Sequence, residues 1–397
     1  MYISMIRGFR RRPESQAQTP PLRRRIGSLC VSLTLIALGG IACGESSEAG
    51  TPNRGSMAYV VGAHSNSPAS AHPGAELDTA VVDQRRLTIV AVDGKPWIVK
   101  SVDLRSRASN EDARSREISQ FKTELGNALS DIRPVTAEVD LLAAIDLGAR
   151  SLDRDPKTMI IEDSGLSTAG LLRFQQPGML QASARDVADR LERARELPNL
   201  SGVTVILRGF GDVASPQEPL GTAKRNNLID IWSAILTRAG ARVQPDRAPR
   251  RGEAWPDTAP QVTTVAIERP APSIDPVPIP ASEFFEENSP VLLDRERAIE
   301  TLRPFAEYAT ATPGRIDLIG TTARDGDRDG QLRLSRQRAE AIKALLVDPL
   351  GVPASRITTD GVGSFGPWYI PDHAVDGSLL PAEAAQNRTV RIQFQKV

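Results

Sequence analysis

One arginine has the position expected of a residue that binds a ligand. Arg338 lies four residues after Leu334 and seven before Leu345, in a segment with helical spacing. It therefore points along the apolar face that Leu334 and Leu345 share with Ala341 and Ile342. A guanidinium on such a face must pair with an acid or face a cavity or ligand. Its planar fork suits capture of a carboxylate, and a structural ion pair within the domain is the alternative.

Few other side chains have the type and spacing that metal binding or thiol chemistry requires. His64, His72 and His373 lie in segments rich in Pro, Ser, Gly and Asp without metal-ligand spacing, and we expect them in loops. The two cysteines, Cys30 and Cys43, both lie near the N-terminus. Zinc or thiol catalysis is therefore not expected in the rest of the chain.

A nucleophile turn could be sought at residues 163–165, Asp-Ser-Gly, after an apolar strand-like run. The Gly-x-Ser-x-Gly pattern is absent, so a turn with a polar cap is the better interpretation. A carboxylate-based glycosidase is the enzyme class that the residue types leave open, and no pattern indicates one. We predict a protein that is not an enzyme and that carries no cofactor.

Length and charge limit the remaining function classes. The 397 residues predict two or three domains. Apolar residues make up 40% and charged residues 25%, which is typical of globular domains. Lys and Arg together number 49, as do Asp and Glu, so the formal net charge is zero. No general attraction to nucleic acid is therefore expected.

The first 43 residues have the order of an export signal. An arginine-rich stretch over 1–25 precedes an uncharged, mostly apolar run from Ile26 to Ala42. Basic, apolar and small residues followed by Cys43 resemble a bacterial lipoprotein signal, with Gly40 where Leu is usual. The resemblance implies a lipid on the Cys43 thiol. An uncleaved N-terminal membrane helix and plain secretion are the alternatives, and we expect an envelope protein anchored at the outer membrane or cell surface.

The segment that follows is predicted as a linker and then a three-layer α/β domain. Residues 44–80, rich in Ser, Ala, Gly and Pro, form the linker, which ends in a short strand at AYVVGAHS. Residues 81–268 alternate apolar runs with segments of helical spacing, which indicates a parallel sheet with helices on both faces. Strands are predicted at 87–92, 158–163, 203–211 and 262–267, and helices at 117–132, 139–152, 183–196 and 225–240.

The 81–268 region resembles a von Willebrand A-type domain in its element order and in the strand end IIEDSGLST. The resemblance implies a divalent metal bound by an Asp-x-Ser-x-Ser loop after the first strand. Here Asp93 is followed by GKPW, which offers a single carboxylate. Mg²⁺ needs several oxygen ligands, so we predict no metal in this domain.

A proline-rich linker and a second domain complete the chain. Residues 269–281 contain five prolines and are predicted as a semi-rigid linker. Residues 282–397 are predicted as an α+β domain of order βαβαββ, with two helices on one face of a mixed sheet. Its strands are expected at 284–288, 315–321, 356–363 and 388–394, and its first helix at 294–310.

Short motifs in residues 282–397 resemble the OmpA-like C-terminal domain. They are GTTARDG at 320–326, QLRLSRQRA at 331–339, GVP at 351–353, GVG at 361–363 and NRTV at 387–390. The resemblance implies noncovalent binding of peptidoglycan through diaminopimelate of the stem peptide. In the family, the Asp of a Gly-His-Thr-Asp loop pairs with the amino group. The Arg of Leu-Ser-x-x-Arg-Ala, which corresponds to Arg338, pairs with the carboxylate.

The chain departs from the family pattern at the position that would bind the amino group. Ala323 stands at the family's Asp position, and Thr321 stands at its His position. Gln331 replaces the family Asn, and Thr389 replaces the second Arg of Asn-Arg-Arg-Val. The missing acid leaves open whether the domain still binds peptidoglycan.

Two nearby acids are candidates to replace the missing carboxylate. Asp325 is preferred over Asp327, and the alternative is that both only solvate a turn. The long loop 364–386 carries Trp368, Tyr369 and His373, which either cap the site and stack on sugar rings or form a surface flap. The residues predicted to bind peptidoglycan are Arg338, Thr322, Asp325, Gln331, Asn387 and Arg388.

Two functions are consistent with these patterns. The first is a membrane-anchored envelope protein that binds peptidoglycan noncovalently through its OmpA-like domain. The alternative is an envelope scaffold whose OmpA-like domain has lost peptidoglycan binding with Ala323 and docks another envelope protein instead.

Overall fold

Two β-sheets organise the part of the chain that the computed structural model describes, residues 54–69, 75–250 and 252–395. The predicted export segment and Cys43 lie outside these residues. A six-stranded sheet lies in residues 54–250, called the α/β region below. A four-stranded sheet lies in residues 277–395, called the C-terminal region. Within the described residues, no helix combines the length and the apolar composition that a membrane span requires.

The α/β region is a largely parallel sheet with the strand order β3-β2-β1-β4-β5-β6. Its elements are β1 (Ser56–Gly62), α1 (Ala75–Val82), β2 (Arg86–Val92), β3 (Trp97–Asp103), α2 (Glu111–Ser130), α3 (Leu141–Arg150), β4 (Lys157–Glu162), α4 (Ala184–Ala194), β5 (Val203–Arg208), α5 (Gly221–Arg238) and β6 (Arg242–Pro245). Only the edge strand β3 pairs in the antiparallel sense within this described sheet. The strand order reverses between β1 and β4, so the carboxyl ends of these two strands adjoin.

β1 is buried along its whole length because helices cover both faces of the sheet. Ala58 and Val60 join the core that contains residues of α3, α4 and α5. Tyr59 and Val61, on the opposite face, join the core with Leu77 of α1 and Leu125 of α2. A strand buried on both faces has a continuous apolar sequence rather than an alternating one.

The short strand predicted at the end of the 44–80 linker is confirmed in part, because β1 spans residues 56–62. It is wrong as part of a linker, since β1 is a central strand of the sheet. The predicted strand at 262–267 is also wrong, since this segment forms no sheet pairing. Val262 and Val265 are nevertheless buried in the core. The backbone there bonds to side chains instead: the Val262 amide donates to Ser65 Oγ at 2.8 Å, and Val265 pairs with the amide group of Gln217.

The C-terminal region is a mixed sheet of order β7-β10-β8-β9. Its elements are β7 (Val277–Pro280), α6 (Ala281–Phe284), α7 (Arg295–Ala311), β8 (Ile316–Thr321), α8 (Arg328–Val347), β9 (Ile357–Gly363), α9 (Pro381–Asn387) and β10 (Thr389–Phe394). β10 runs antiparallel to β7 and β8, and β8 runs parallel to β9. The two long helices α7 and α8 bury their apolar residues in one core with the sheet.

The first strand of this sheet, β7, lies inside the predicted proline-rich linker. The strand predicted at 284–288 is wrong, because no strand forms there. β7 pairs with β10 and buries Ile279 in the core. Pro278 and Pro280 are tolerated because β7 is an edge strand, where a missing N–H costs no ladder bond on the open side. The residues predicted as this strand instead lie at the end of α6, which stops at Phe284, and in the loop that follows.

The two regions share a core. α9 of the C-terminal region buries Ala382 and Ala385 in the same apolar cluster as Met179 and Leu180 of the α/β region. A nearly buried ion pair at 2.6 Å joins the ammonium of Lys224 to Glu283. The described residues accordingly form one compact unit, and the predicted linker does not hold the two regions apart.

Candidate ligand-binding site

Arg338 lies in the interior of the C-terminal region and has no acidic partner among the described residues. Its side chain is 4% exposed, which confirms the predicted position on the apolar face of α8. Nε donates to the Ser289 carbonyl at 3.0 Å, and the guanidinium lies 5.4 Å from the centre of the Phe285 ring. Burial, together with the charge of Arg388, lowers the pKa of Arg338 to about 10. The guanidinium is therefore still charged at neutral pH.

Two glycines of the predicted motifs bring α8 close enough to the sheet to bury this arginine. A Cβ at Gly320 would lie 1.9 Å from the Ser335 carbonyl oxygen, and one at Gly361 would lie 2.3 Å from the Arg336 amide. Both positions therefore exclude any side chain. The GTTARDG and GVG motifs thus set the helix against β8 and β9, and Arg338 follows less than one turn later.

A pocket of about 110 Å³ opens beside Arg338. Asn288 and Ala323 form part of its wall, and Ala323 is 2% exposed. The family's acid would project from this position, where the chain presents only a methyl group. Five of the six predicted binding residues line the pocket, namely Arg338, Thr322, Asp325, Gln331 and Arg388.

The polar groups of the pocket wall differ in how far they are already satisfied. Gln331 is buried and uses both ends of its amide, donating to the Gly326 carbonyl at 3.1 Å and accepting from Ser364 Oγ at 2.7 Å. The hydroxyl of Thr322 is buried without a hydrogen-bond partner among the described residues. A buried hydroxyl is costly to leave unpaired, so Thr322 is the better placed of the two to bond a ligand.

The two acids of the loop before α8, Asp325 and Asp327, differ in their bonding. Asp327 caps the helix, because its Oδ1 accepts from the Gly330 amide at 2.8 Å. This backbone hydrogen bond lowers the pKa of Asp327. Asp325 is exposed at the rim of the pocket, and its carboxylate bonds to none of the described residues. Asp325 is therefore the acid of this loop that is free to meet a ligand.

Asn387 does not line the pocket but anchors the long loop after β9. Its amide donates to the Ile370 carbonyl at 2.7 Å and to Asp372 at 3.0 Å, and it accepts from the Ile370 amide at 2.9 Å. Asp372 is fully buried and also accepts from the Arg324 amide and the Tyr369 hydroxyl. Burial opposes ionisation of Asp372, but these hydrogen bonds outweigh it and lower its pKa.

The aromatic residues of that loop do not cap the pocket. Trp368 packs against the Arg391 guanidinium, 5.0 Å from the ring centre, and Tyr369 bonds to Asp372 at 2.7 Å. His373 also bonds to Asp372, through Nδ1 at 2.9 Å. None of the three lines the Arg338 pocket. The predicted cap over the pocket is therefore not formed by these three residues.

A wider cleft of about 620 Å³ adjoins the small pocket. The two cavities share Asn288, Arg338 and Arg388. α4 and α5 of the α/β region supply one wall, and the segment 281–297 supplies the other. The α/β region therefore forms part of the surroundings of Arg338, which the sequence did not indicate.

Asp186 of α4 bonds to a residue that lines both cavities, and it was not predicted from the sequence. Its carboxylate accepts from Arg388 Nη1 at 2.7 Å, and the side chain is 6% exposed. Arg388, a predicted ligand-binding residue, is thus already held by an acid from the other region. A signal was present in the sequence, because Asp186 lies in the first turn of an amphipathic helix, on its otherwise apolar face.

Asp93, the acid considered for a metal loop, has a structural role. Asp93 follows β2 rather than the first strand, and its buried carboxylate accepts from the Val135 and Thr136 amides. The segment after the first strand is instead AHSNS, residues 63–67, which also lacks Asp-x-Ser-x-Ser. Within the described ranges, no group of three or more His, Cys, Asp or Glu side chains could hold a metal ion.

The pairing of His64 with Asp163 was not predicted, because residues 44–80 were assigned to a linker. His64 lies in the loop after β1 and is fully buried, with Nε2 at 2.6 Å from the Asp163 carboxylate. Ser164, next to Asp163, bonds to Asn66 rather than to the imidazole. The turn at 163–165 therefore contains no Ser-His hydrogen bond.

Part of the C-terminal region matches a known protein family. Residues 284–374 match the model of the OmpA family. The probable lipoprotein YiaD of Escherichia coli (strain K12) is 36% identical over 77 residues, which are 19% of this chain and 32% of that protein. The match thus spans about a third of that relative's length.

Solved structures with similarity to the chain each cover less than a third of it. The peptidoglycan-associated lipoprotein from Burkholderia pseudomallei is 26% identical, with a TM-score of 0.23, over 28% of this chain and 87% of that one. The cell wall anchor of the T6SS from Pseudomonas aeruginosa is 23% identical, with a TM-score of 0.24, over 30% and 81%. The segment 284–374, which matches the OmpA family model, contains Arg338 and every residue that lines its pocket except Arg388.

Proposed function

We propose that the protein is an envelope protein that binds peptidoglycan noncovalently, with Arg338 holding a carboxylate of diaminopimelate in the stem peptide. The observation that carries this proposal is the environment of Arg338. Its guanidinium is 4% exposed, has no acidic partner among the described residues, and lines an open pocket. A buried charge without a counter-ion is costly, and a carboxylate ligand would supply that counter-ion.

Four further residues of the pocket are proposed to take part. The unpaired Thr322 hydroxyl would bond the same carboxylate, and Gln331 and Arg388 would shape the wall. Asp325, at the rim, is the candidate from the α8 loop for the ligand's ammonium group. Asn387 supports the site indirectly, since it fixes the loop at Ile370.

The proposal extends to how the protein is held in the envelope. We propose export, followed by lipidation at Cys43, as the lipoprotein-like signal implies; the curated relative YiaD is itself described as a probable lipoprotein. The α/β region is proposed to be von Willebrand A-like, without a metal, and to act with the C-terminal region in a binding protein rather than an enzyme. Its strand order, with an antiparallel edge strand, supports that resemblance.

The test is sedimentation of the full-length chain, purified in detergent, with insoluble diaminopimelate-type peptidoglycan. The full chain is needed because a fragment beginning at 282 would lack β7 and expose the apolar residues of α9. We expect Arg338→Ala to reduce binding at least about tenfold, since the ligand's carboxylate would lose its charged partner. Arg336→Ala, which removes an exposed arginine of the same helix, is the matched control and should bind normally.

A scaffold function is the second candidate, and the buried Ala323 favours it. The chain lacks the family's acid at that position, so the C-terminal region would dock another envelope protein instead of the wall. A wild-type chain that is folded but stays in the supernatant would support the scaffold and overturn wall binding. Equal sedimentation of wild type and Arg338→Ala would overturn the proposed role of Arg338.

A further inference from the structure

One tight loop carries an acid, Glu286, and also bonds to the side chain of Arg338. In the loop after α6, the Ser289 amide donates to the Glu286 carbonyl at 3.2 Å, which closes a turn, and the Ser289 carbonyl accepts from Arg338 Nε at 3.0 Å. The Glu286 amide donates to the Val291 carbonyl at 2.9 Å, so the loop is also closed across its base. Two successive hydrogen bonds therefore connect the backbone of Glu286 to the guanidinium of Arg338.

Glu286 is also the acid of the wide cleft whose carboxylate is free. The other acids that line the described cleft are each paired: Asp230 with Arg247, Glu283 with Lys224, Glu287 with Arg185, and Asp294 with Arg297. Among the described residues, the side chain of Glu286 makes neither a hydrogen bond nor an ion pair, and it is exposed. The cleft thus presents one unpaired carboxylate and one unpaired guanidinium, that of Arg338.

The sizes of the two cavities indicate where a ligand must extend. The pocket that contains Asp325 has a volume of about 110 Å³, whereas the cleft that contains Glu286 has about 620 Å³. Binding sites for small molecules generally enclose about 300–1,000 Å³. A carboxylate fits beside Arg338 in the small pocket, but the rest of a diamino dicarboxylate attached to a peptide needs the wide cleft.

We propose that the cleft between the two regions binds the ammonium-bearing part of the stem peptide, and that Glu286 in this cleft, rather than Asp325 in the small pocket, pairs with that ammonium. This inference rests on the proposed function. Glu286, which lines the wide cleft rather than the small pocket, then supplies the negative charge that Ala323 lacks. The α/β region, through α4 and α5, forms the wall against which the peptide lies.

The experiment combines a substitution with a chemical change in the ligand. Peptidoglycan is used either untreated or after acetylation of its free amino groups, and affinity is measured by sedimentation of the full-length chain. We expect acetylation to weaken wild-type binding about fivefold, as loss of a solvent-accessible ion pair would. Glu286→Gln should bind untreated peptidoglycan about fivefold more weakly than wild type, and acetylation should not weaken it further.

The matched control is Glu287→Gln, because Glu287 is the adjacent acid but is already bonded to Ser183 and Arg185. It should remain as sensitive to acetylation as wild type. If Glu286→Gln also remains sensitive, Glu286 is not the ammonium partner and the inference is overturned, while wall binding through Arg338 stands. If acetylation instead fails to weaken binding by Asp325→Asn, the ammonium binds in the small pocket. Absence of wild-type binding to untreated peptidoglycan would overturn the proposed function and this inference together.

Discussion

Arg388 and Asp186 form an ion pair between the two sheets, with 2.7 Å between Nη1 and Oδ2. Arg388 directly precedes β10 of the C-terminal region, and Asp186 lies in the first turn of α4. Their side chains are 17% and 6% exposed, so solvent screens the pair only weakly. The pair also neutralises a positive charge that acts on Arg338.

We expect Asp186→Ala to lower the free energy of unfolding by about 3 kcal/mol, because it leaves the charge of Arg388 buried and unpaired. Arg388→Ala should have a similar effect, and the double variant should cost clearly less than the sum of the two. The measurement is urea unfolding in a double-mutant cycle. Asp189→Ala, which removes a more exposed acid of the same helix, is the control and should cost under about 1 kcal/mol. Additive effects would show that the pair does not couple the regions.

Arg338 is expected to destabilise the unliganded fold. Burial lowers its pKa to about 10, so the folded state is penalised for carrying this charge at any pH below that value. Arg338→Met should therefore raise the unfolding free energy at pH 7 by about 1–3 kcal/mol while abolishing peptidoglycan binding. Thermal unfolding measures the first effect and sedimentation the second. A less stable variant would mean that the bond to Ser289 and the contact with Phe285 outweigh the desolvation of the charge.

Asp372 is expected to make the protein sensitive to acid. Its pKa is lowered in the folded state, so its stabilising contribution is complete above its ordinary value of 3.8 and is lost as the pH falls below it. Asp372→Asn should cost about 3 kcal/mol at pH 7, and the difference from wild type should shrink below pH 4. Urea unfolding across pH 3–7 tests this, with the exposed Asp360→Asn as control. A difference that is constant with pH would contradict the prediction.

Cys43→Ala is expected to release the protein from membranes if its thiol carries the lipid. The measurement is partitioning into the detergent phase, with Cys30→Ala as the matched control because Cys30 lies within the apolar run. The control should partition like wild type. Unchanged partitioning of Cys43→Ala would contradict lipidation and favour the uncleaved helix.

The sequence patterns predicted the two long C-terminal helices, α7 and α8, and the burial of Arg338 well because local spacing determines them. Helical periodicity placed Arg338 on a buried face, and the glycine motifs lie where α8 must approach the sheet. β7 was missed, because its prolines are typical of a linker and are tolerated only at a sheet edge, which is a property of the folded sheet. β1 was predicted only as a short strand at the end of a linker, since its apolar run follows a segment that resembles a linker.

The surroundings of the site could not be predicted from local patterns. Asp186 and Arg388 are separated by 202 residues, and Glu286 lay within a predicted strand. The sequence EENSP contains turn-forming residues that break such a strand, which is the signal that was available. Contacts that join separate regions depend on how the two sheets pack, and neither periodicity nor motif spacing reports that packing.

The prolines of β7 also determine how the protein meets its neighbours. An exposed edge strand ordinarily offers a row of N–H groups onto which another chain can add as a further strand. Two of the four residues of β7, Pro278 and Pro280, have no N–H to donate. This edge is therefore a poor template for strand addition, and the protein can be crowded against other sheet proteins with little tendency to polymerise or aggregate through it.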